Sequence, residues 1–191
     1  MKIAILGWGS LLWDKNKAFD EQHDEWLFDG PVLKIEFSRV SQSRGNALTL
    51  VIDAVNGSLC RVAYTFSKRS NPDDVICDLK CREGTVLSNI GYYFRDGLRG
   101  NSNDSESLDS IKEWADEKMI DITIWTALKS NFEKESKVEK PYSLENALLH
   151  IQHLEPNDKI KAAEYVWLSP NFVDTPLRKS LQTVPWFNEN S

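Results

Sequence analysis

The sequence is poor in cysteine, has fewer basic than acidic residues, and has no long apolar run. Its three cysteines lack Cys-x-x-Cys spacing, which argues against a disulfide framework and favours a reducing compartment. The net charge of -6 at pH 7 argues against a nucleic-acid partner, because lysine and arginine hold such partners. No segment is apolar for long enough to span a bilayer, and glycines interrupt the apolar N-terminal stretch that a signal peptide would need. We therefore expect a cytoplasmic protein that binds neither nucleic acid nor a membrane.

The order of the predicted elements indicates one α+β domain. A chain of 191 residues is long enough to bury a hydrophobic core without disulfides or metals. Predicted strands fill the first half, at 3–6, 32–40, 48–53, 59–66 and 86–94. Helical spacing predominates later, from Leu108 and after Ser143, Pro156 and Asp174. Strands and helices do not alternate regularly, which excludes a repeated βαβ pattern and favours the α+β class.

Two β-type predictions rest on local patterns. Residues 32–40 alternate, with Leu33, Ile35 and Phe37 on one face, so we expect a half-buried strand whose other face, including Glu36, is exposed. Asn56-Gly57 lies between two β-rich segments, and this pair favours a type I′ turn. We therefore expect a hairpin that joins 48–53 to 59–66.

The segment that begins at Asn71-Pro72 predicts a helix with a capped N-terminus. Val75, Ile76 and Leu79 recur at helical spacing and should face the core, and the helix should end near Gly84. Cys77 and Cys81 share another face of this helix, where we expect them to be small core residues.

Residues 3–6 are all apolar, which predicts a strand buried on both faces. This strand runs directly into a glycine-containing loop, Gly7-Trp8-Gly9-Ser10-Leu11. Two glycines permit backbone angles closed to other residues, so several N–H groups could converge on one anion without a basic side chain. A tight turn after a buried strand explains the same residues. The dinucleotide fingerprint is a poor match, because Leu12 stands where that motif has a third glycine or alanine.

Glu83 is the acidic residue with the most suggestive position, at the end of the helix and directly before Gly84. The negative end of the helix dipole and the nearby Asp78 would both raise its pKa, and a carboxylate tuned in this way can exchange a proton with a substrate. The alternative is an ordinary solvated glutamate paired with Arg82.

Other candidates for chemistry are weaker. Ser10 lacks the following glycine of a nucleophile elbow, so we assign it at most a binding role. His150 and His153 are three residues apart on a predicted helix, but no other ligand completes a metal set, and we expect them at the surface. Trp8 and Trp13 flank the glycine loop and could form the wall of a pocket.

Several of these segments, in this order, resemble the gamma-glutamylcyclotransferase superfamily, including its glutathione-degrading branch. Leu6-Gly7-Trp8-Gly9-Ser10-Leu11 resembles the family's Gly-Tyr-Gly-Ser-Leu substrate loop, with Trp8 in place of the usual tyrosine. Phe37-Ser38-Arg39 and Ser43-Arg44-Gly45 resemble the segments that follow it, and Leu48-Thr49-Leu50-Val51 resembles the next strand. Leu79-Lys80-Cys81-Arg82-Glu83-Gly84 resembles the segment with the catalytic glutamate.

The resemblance implies a small mixed β-barrel with surrounding helices, in which residues 105–191 form a helix-rich extension without a family counterpart. It implies an enzyme that cyclises a γ-glutamyl amide to 5-oxoproline, with Glu83 as the catalytic residue and no cofactor or metal. Gly7, Trp8, Gly9, Ser10, Leu11 and Arg44 would bind the substrate. The alternative is a non-catalytic domain of the same fold that binds a small carboxylate or a protein partner.

Overall fold

The computed structural model describes residues 1–188, which form two sheets and a set of mostly short helices. The strands are β1 (Ile3–Gly7), β2 (Val32–Ser41), β3 (Ala47–Ile52), β4 (Ser58–Arg61), β5 (Ala63–Phe66), β6 (Ile90–Phe94), β7 (Gly100–Asn101) and β8 (Ile122–Thr126). The helices are α1 (Lys17–Asp20), α2 (Pro72–Arg82), α3 (Ser105–Glu117), α4 (Phe132–Glu135), α5 (Leu144–Gln152), α6 (Pro156–Leu168), α7 (Pro176–Leu181) and α8 (Pro185–Asn188). The predicted α+β class is confirmed.

The chain divides into two compact units, and each is discontinuous in sequence. The first unit comprises Met1–Leu33 and Arg61–Leu128, and the second comprises Lys34–Cys60 and the chain from Lys129 onward. Within the described residues, neither sheet closes into a barrel. None of the helices in residues 1–188 is long and apolar enough to cross a membrane.

The first unit is built on a five-stranded sheet with the strand order β5-β1-β8-β6-β7. β1 lies antiparallel to β5 and parallel to β8, and every residue of β1 is buried. This confirms the prediction of a strand buried on both faces. Because β1 has a neighbour on each side, the glycine loop that follows it starts from a fixed position.

Helix α2 covers one face of this sheet. Asn71 caps its N-terminus by accepting a hydrogen bond from the backbone N–H of Asp73. Val75, Ile76 and Leu79 are buried and belong to the same cluster as side chains from β1, β6 and β8. The predicted helix, its inward face and its end before Gly84, at φ 57°, are therefore confirmed.

Cys77 and Cys81 lie on the outer face of α2, and both are exposed. The expectation that they are small core residues is wrong. Only one face of a helix can contact the sheet, and in α2 that face is taken by Val75, Ile76 and Leu79.

The second unit contains most of a three-stranded sheet with the order β3-β2-β4. In β2, Ile35, Glu36, Phe37 and Ser38 are all buried, so the prediction that Glu36 faces solvent is wrong. The pairing of β2 with β3 shifts register between Glu36 and Arg39. The start of α7 also packs against the face that alternation assigned to solvent, since the Leu177 N–H donates a hydrogen bond to Glu36.

The predicted hairpin at Asn56-Gly57 is also wrong, because β2 lies between β3 and β4. The carboxylate of Asp53 accepts hydrogen bonds from the backbone N–H groups of Val55 and Asn56, which shapes the connection. A Cβ on Gly57 would lie 2.6 Å from the carbonyl carbon of Lys34. Glycine is needed at position 57 because the chain passes directly over the β2 backbone. Its presence therefore does not indicate that the strands on either side of it pair.

The helices of the second unit agree with their sequence signals. Ser143 caps α5 by accepting from the Asn146 N–H, and Thr175 caps α7 by accepting from the Arg178 N–H. His150, however, is fully buried, so its expected position at the surface is wrong. Its Nδ1 accepts from the Lys137 N–H at 3.0 Å and its Nε2 donates to the Asn46 carbonyl at 2.8 Å, which identifies it as a structural residue.

Candidate functional site

The glycine loop leaves β1 and closes into one 3₁₀ turn, Ser10–Leu12. The N–H of Leu12 donates to the Gly9 carbonyl at 3.0 Å, and the N–H of Asp14 donates to the Ser10 carbonyl at 2.8 Å. Within residues 1–188, the N–H groups of Gly9, Ser10 and Leu11 donate no hydrogen bond. The loop therefore keeps three backbone donors available for a ligand or solvent.

Neither glycine of the loop has a positive φ, the conformation that most favours glycine. Positive φ among the described glycines occurs at Gly45, Gly84 and Gly97, and Gly9 has φ -122° and ψ -146°. Gly7 is required for a different reason: a Cβ there would lie 2.8 Å from the indole of Trp26. Its lack of a side chain lets Trp26 pack directly on the backbone.

Arg82, the last residue of α2, connects this helix to the glycine loop. Its guanidinium donates to the carbonyl of Ser10 at 3.2 Å and to the carbonyl of Asp14 at 2.7 Å. The side chain is only 10% exposed. These contacts hold the end of α2 against the loop, although 72 positions separate Arg82 from Ser10 in the chain.

Glu83 directly follows Arg82 and is the C-terminal capping residue of α2. It is half-buried, and its backbone N–H donates to the Leu79 carbonyl at 3.0 Å. Asp78, which was expected to repel the Glu83 carboxylate, forms an ion pair with Arg69 at 3.0 Å. The structure thus brings the helix end that carries Glu83 to the glycine loop.

The remaining residues implied by the resemblance have varied surroundings. Trp8 is buried. Arg44 belongs to the second unit, where its guanidinium lies 5.4 Å from the ring centroid of Tyr165.

A cavity of about 450 Å³ lies beside the glycine loop in the first unit. It is lined by residues 11–15, by residues 23–26, and by Asp20 and Lys68. We call it the Trp26 cavity. Trp13 contributes to its wall as the sequence suggested, whereas Trp8 and Glu83 do not line it.

Sequence reasoning did not single out His23 as a candidate residue. The ring is 7% exposed and lies between Phe19 and Trp26, with ring centroids 5.0 and 5.2 Å away. A sequence signal exists, since these three aromatic side chains recur four and three residues apart. That spacing places side chains on one face of a helix, but here only the first of them belongs to one.

Glu36 is a second buried titratable group that the sequence did not reveal. Its carboxylate accepts from the Phe37 N–H at 2.7 Å and from the Thr175 hydroxyl and the Leu177 N–H at the start of α7. Burial raises the pKa of Glu36, and these hydrogen bonds only partly oppose the shift. Burial and the nearby Glu36 also raise the pKa of Tyr142. The contacts indicate a structural cap for α7.

Neither the metal-binding side chains nor the comparisons with known proteins identify a function for this chain. No group of three or more His, Cys, Asp or Glu side chains in the described residues is placed to hold a metal ion. Searches against family models, curated proteins and solved structures give no match to this chain. Function must therefore be argued from the residues themselves.

Proposed function

We propose that this chain is a gamma-glutamylcyclotransferase-like enzyme that converts a γ-glutamyl amide or peptide into 5-oxoproline and an amine or amino acid. The observation that carries the proposal is the pair of hydrogen bonds from Arg82 to the carbonyls of Ser10 and Asp14. The resemblance gives separate roles to the glycine loop and to Glu83. These contacts make the two segments neighbours, which a shared site requires.

In the proposed reaction, the α-amine of the substrate attacks its own γ-carbonyl carbon. The new C–N bond closes the five-membered ring, and the original amide C–N bond breaks. Holding amine and carbonyl in contact provides most of the advantage, because intramolecular reactions avoid the entropy loss of bringing two reactants together. Glu83 accepts a proton from the α-ammonium group and returns one to the departing nitrogen.

The glycine loop would bind the substrate through its backbone. The N–H groups of Gly9, Ser10 and Leu11 donate no hydrogen bond within the described residues, so they can hold the α-carboxylate or stabilise the oxyanion of the tetrahedral intermediate. Trp8 completes the proposed set of substrate-binding residues in the first unit, and a role for Arg44, in the second unit, is implied by the resemblance alone. No cofactor or metal takes part in this scheme.

The proposal includes the finer fold and location that the resemblance implies. Strands β1, β5, β6 and β7 of the first unit would correspond to strands of the family's small mixed β-barrel, and residues 105–191, which include β8, would be the helix-rich extension. The protein would act in the cytoplasm on small molecules.

The direct test is detection of 5-oxoproline by mass spectrometry after incubation with a panel of γ-glutamyl compounds. The panel should include glutathione, γ-glutamyl dipeptides and γ-glutamyl amines, with the matching α-glutamyl compounds as controls. We expect 5-oxoproline from at least one γ-glutamyl compound, at a rate proportional to enzyme concentration. Absence of the product from the whole panel would contradict the proposal.

One observation favours the alternative, a non-catalytic binding domain. The Trp26 cavity includes Leu11 of the glycine loop, but Glu83 does not line it. A domain that had kept the loop for binding alone would have this arrangement. It would bind a γ-glutamyl compound in calorimetry and leave it unchanged, a result that separates it from the enzyme.

A further inference from the structure

Helix α2 presents two thiols on its solvent-facing side. Cys77 and Cys81 are exposed, whereas Cys60, the third cysteine of the chain, is buried. Free cysteine is among the residue types most often found buried, so two exposed cysteines on one helix are unusual. The core-facing side of α2 is already filled by apolar residues. Cys77 and Cys81 therefore have no part in the core, and both can be reached from solvent.

The two thiols contact each other. Residues four apart in a helix lie one above the other on the same face. The thiol of Cys77 donates a hydrogen bond to the sulfur of Cys81. The two sulfur atoms can therefore bind a single atom together. We call Cys77 and Cys81 the α2 thiol pair.

The spacing of the α2 thiol pair suits a bridging atom better than a disulfide bond. In a helix, the Cβ atoms of residues four apart are separated by about 5–6 Å, whereas a disulfide requires about 3.5–4.5 Å. A direct S–S bond would therefore distort α2. An atom inserted between the two sulfur atoms, with metal–sulfur bonds of about 2.3 Å each, spans the longer distance and leaves the helix unchanged.

The number and type of ligands select the ion. Structural Zn²⁺ sites take four protein ligands, and iron–sulfur clusters are held by four cysteines. Residues 1–188 contain no group of three or more side chains placed to hold a metal ion, so neither of these centres fits the α2 thiol pair. Ca²⁺ and Mg²⁺ prefer oxygen ligands. Cu(I) is a soft ion that thiolates bind preferentially, and two thiolates complete a linear coordination shell around it.

We propose that the α2 thiol pair binds one Cu(I) ion through both sulfur atoms. Two Cu–S bonds form and two S–H bonds break, the two protons pass to solvent, and no electron is transferred. The ion reaches the site directly, because both cysteines are exposed. The proposal does not depend on the cyclotransferase function, because it concerns binding alone.

The test measures the Cu(I) affinity of the full chain by competition with the coloured chelator bathocuproine disulfonate, in the absence of oxygen and with ascorbate as reductant. We expect each chain to withhold one Cu(I) from the chelator. Zn²⁺, measured by competition with a zinc indicator, should bind at least about 10²-fold more weakly, because two thiolates provide only half of its usual ligands. If no Cu(I) is retained, or if Zn²⁺ binds as tightly as Cu(I), the proposal is overturned.

Cysteine variants locate the site. Cys77→Ser and Cys81→Ser each leave one thiol in α2, and each should weaken Cu(I) binding by at least about 10²-fold, the advantage of linking two binding groups. Cys60→Ala is the matched control, since it removes the buried cysteine of β4, and its affinity should stay within about twofold of the parent's. If Cys60→Ala does not fold, the two serine variants decide the question alone. Parent-like binding by either serine variant would rule out the α2 thiol pair as the site.

Phenylarsine oxide tests the geometry without copper. Its arsenic atom forms two As–S bonds with a pair of neighbouring thiols, and its oxygen leaves as water with the two thiol protons. We expect one phenylarsenic group per chain in the intact mass, stable to glutathione and removed by a dithiol. The melting temperature of the adduct should not fall, because the bridge fits the undistorted helix. Failure to form the adduct, or a marked loss of stability on forming it, would show that the two sulfur atoms cannot bind one atom in intact α2.

Discussion

Arg82 at the end of α2 donates a hydrogen bond to the backbone carbonyl of Ser10 in the glycine loop, over a distance of 3.2 Å. The same guanidinium contacts the Asp14 carbonyl. Both acceptors are main-chain carbonyls, which are present whatever the side chains of Ser10 and Asp14 are. Arg82 therefore fixes the backbone path of the loop. The orientation of Glu83, the next residue, is thereby coupled to the loop.

Replacing Glu83 by Gln should abolish most turnover while leaving the fold intact. Glutamine has the same shape but cannot exchange a proton, and proton transfer by a positioned group is typically worth about 10²-fold or more. The measurement is the rate of 5-oxoproline formation from the best γ-glutamyl substrate. Binding of that substrate should be retained in calorimetry. Parent-like turnover by a folded Glu83→Gln protein would remove Glu83 from the mechanism.

Gly9→Val should damage binding of a γ-glutamyl ligand more than Ser10→Ala does. The proposed contacts come from backbone N–H groups, so a bulky β-branched residue disturbs them, whereas loss of the Ser10 hydroxyl leaves them in place. The two dissociation constants can be compared by calorimetry. If Ser10→Ala is the more damaging change, the ligand is held by the hydroxyl and the backbone model is wrong.

Arg82→Lys should destabilise the protein by about 1–3 kcal/mol, because the lysine side chain is too short to reach the position of Nη2, the nitrogen that donates to both carbonyls, and hydrogen bonds of buried charged groups are worth about this much. The free energy of unfolding in urea is the measurement. Arg69→Lys is the matched control, since Arg69 lies in a partly exposed ion pair with Asp78, and its effect should be clearly smaller than that of Arg82→Lys. Equal losses would show that Arg82 has no special role.

Gly7→Ala should also be destabilising, by about 1–3 kcal/mol, because the new methyl group would overlap with the Trp26 indole. The fluorescence of Trp26 should change with it. Gly100→Ala in β7 is the control, since a Cβ there meets its nearest neighbour at 3.8 Å, and it should cost less than about 1 kcal/mol. A neutral Gly7→Ala would mean that Trp26 can move away without cost.

Glu36→Gln should flatten the dependence of stability on pH. Burial raises the pKa of Glu36 in the folded protein above its ordinary value of 4.5. As the pH rises past that value, the unfolded chain releases its proton first, so the free energy of unfolding falls until the folded pKa is passed. Glutamine removes this titration and still offers an oxygen to the Phe37 N–H.

The measurement is urea unfolding at a series of pH values from about 4 upward, in the window that begins at the ordinary pKa of a glutamate. Glu145→Gln, at an exposed position in the first turn of α5, is the control and should keep the slope of the parent protein. If Glu36→Gln and the parent give parallel curves, Glu36 does not contribute to the pH dependence.

Local sequence signals were sufficient where the cause is local. The cap at Asn71 determined where α2 begins, and the spacing of Val75, Ile76 and Leu79 determined which face of it is buried. The uninterrupted apolar run from Ile3 likewise identified a strand buried on both faces. In each case the deciding interactions lie within a few residues along the chain.

Tertiary structure decided the features that depend on distant partners. Glu36 is buried because α7, about 140 residues later, places an N–H and a hydroxyl beside it, and no period-two pattern contains that information. Gly57 is needed because the β2 backbone passes within 2.6 Å of its missing Cβ, and the hairpin that Asn56-Gly57 suggested does not form.

The candidate sites also combine features that the sequence alone could identify with features that only the tertiary structure created. The sequence by itself selected the glycine loop and Glu83, because their residue types and order are visible in it. Only the folded chain brought Arg82 to the carbonyl of Ser10, and only folding buried Nε2 of His23 beside Asp20. The physical reason is that hydrogen bonding and desolvation depend on distances in space, which the order of residues does not specify.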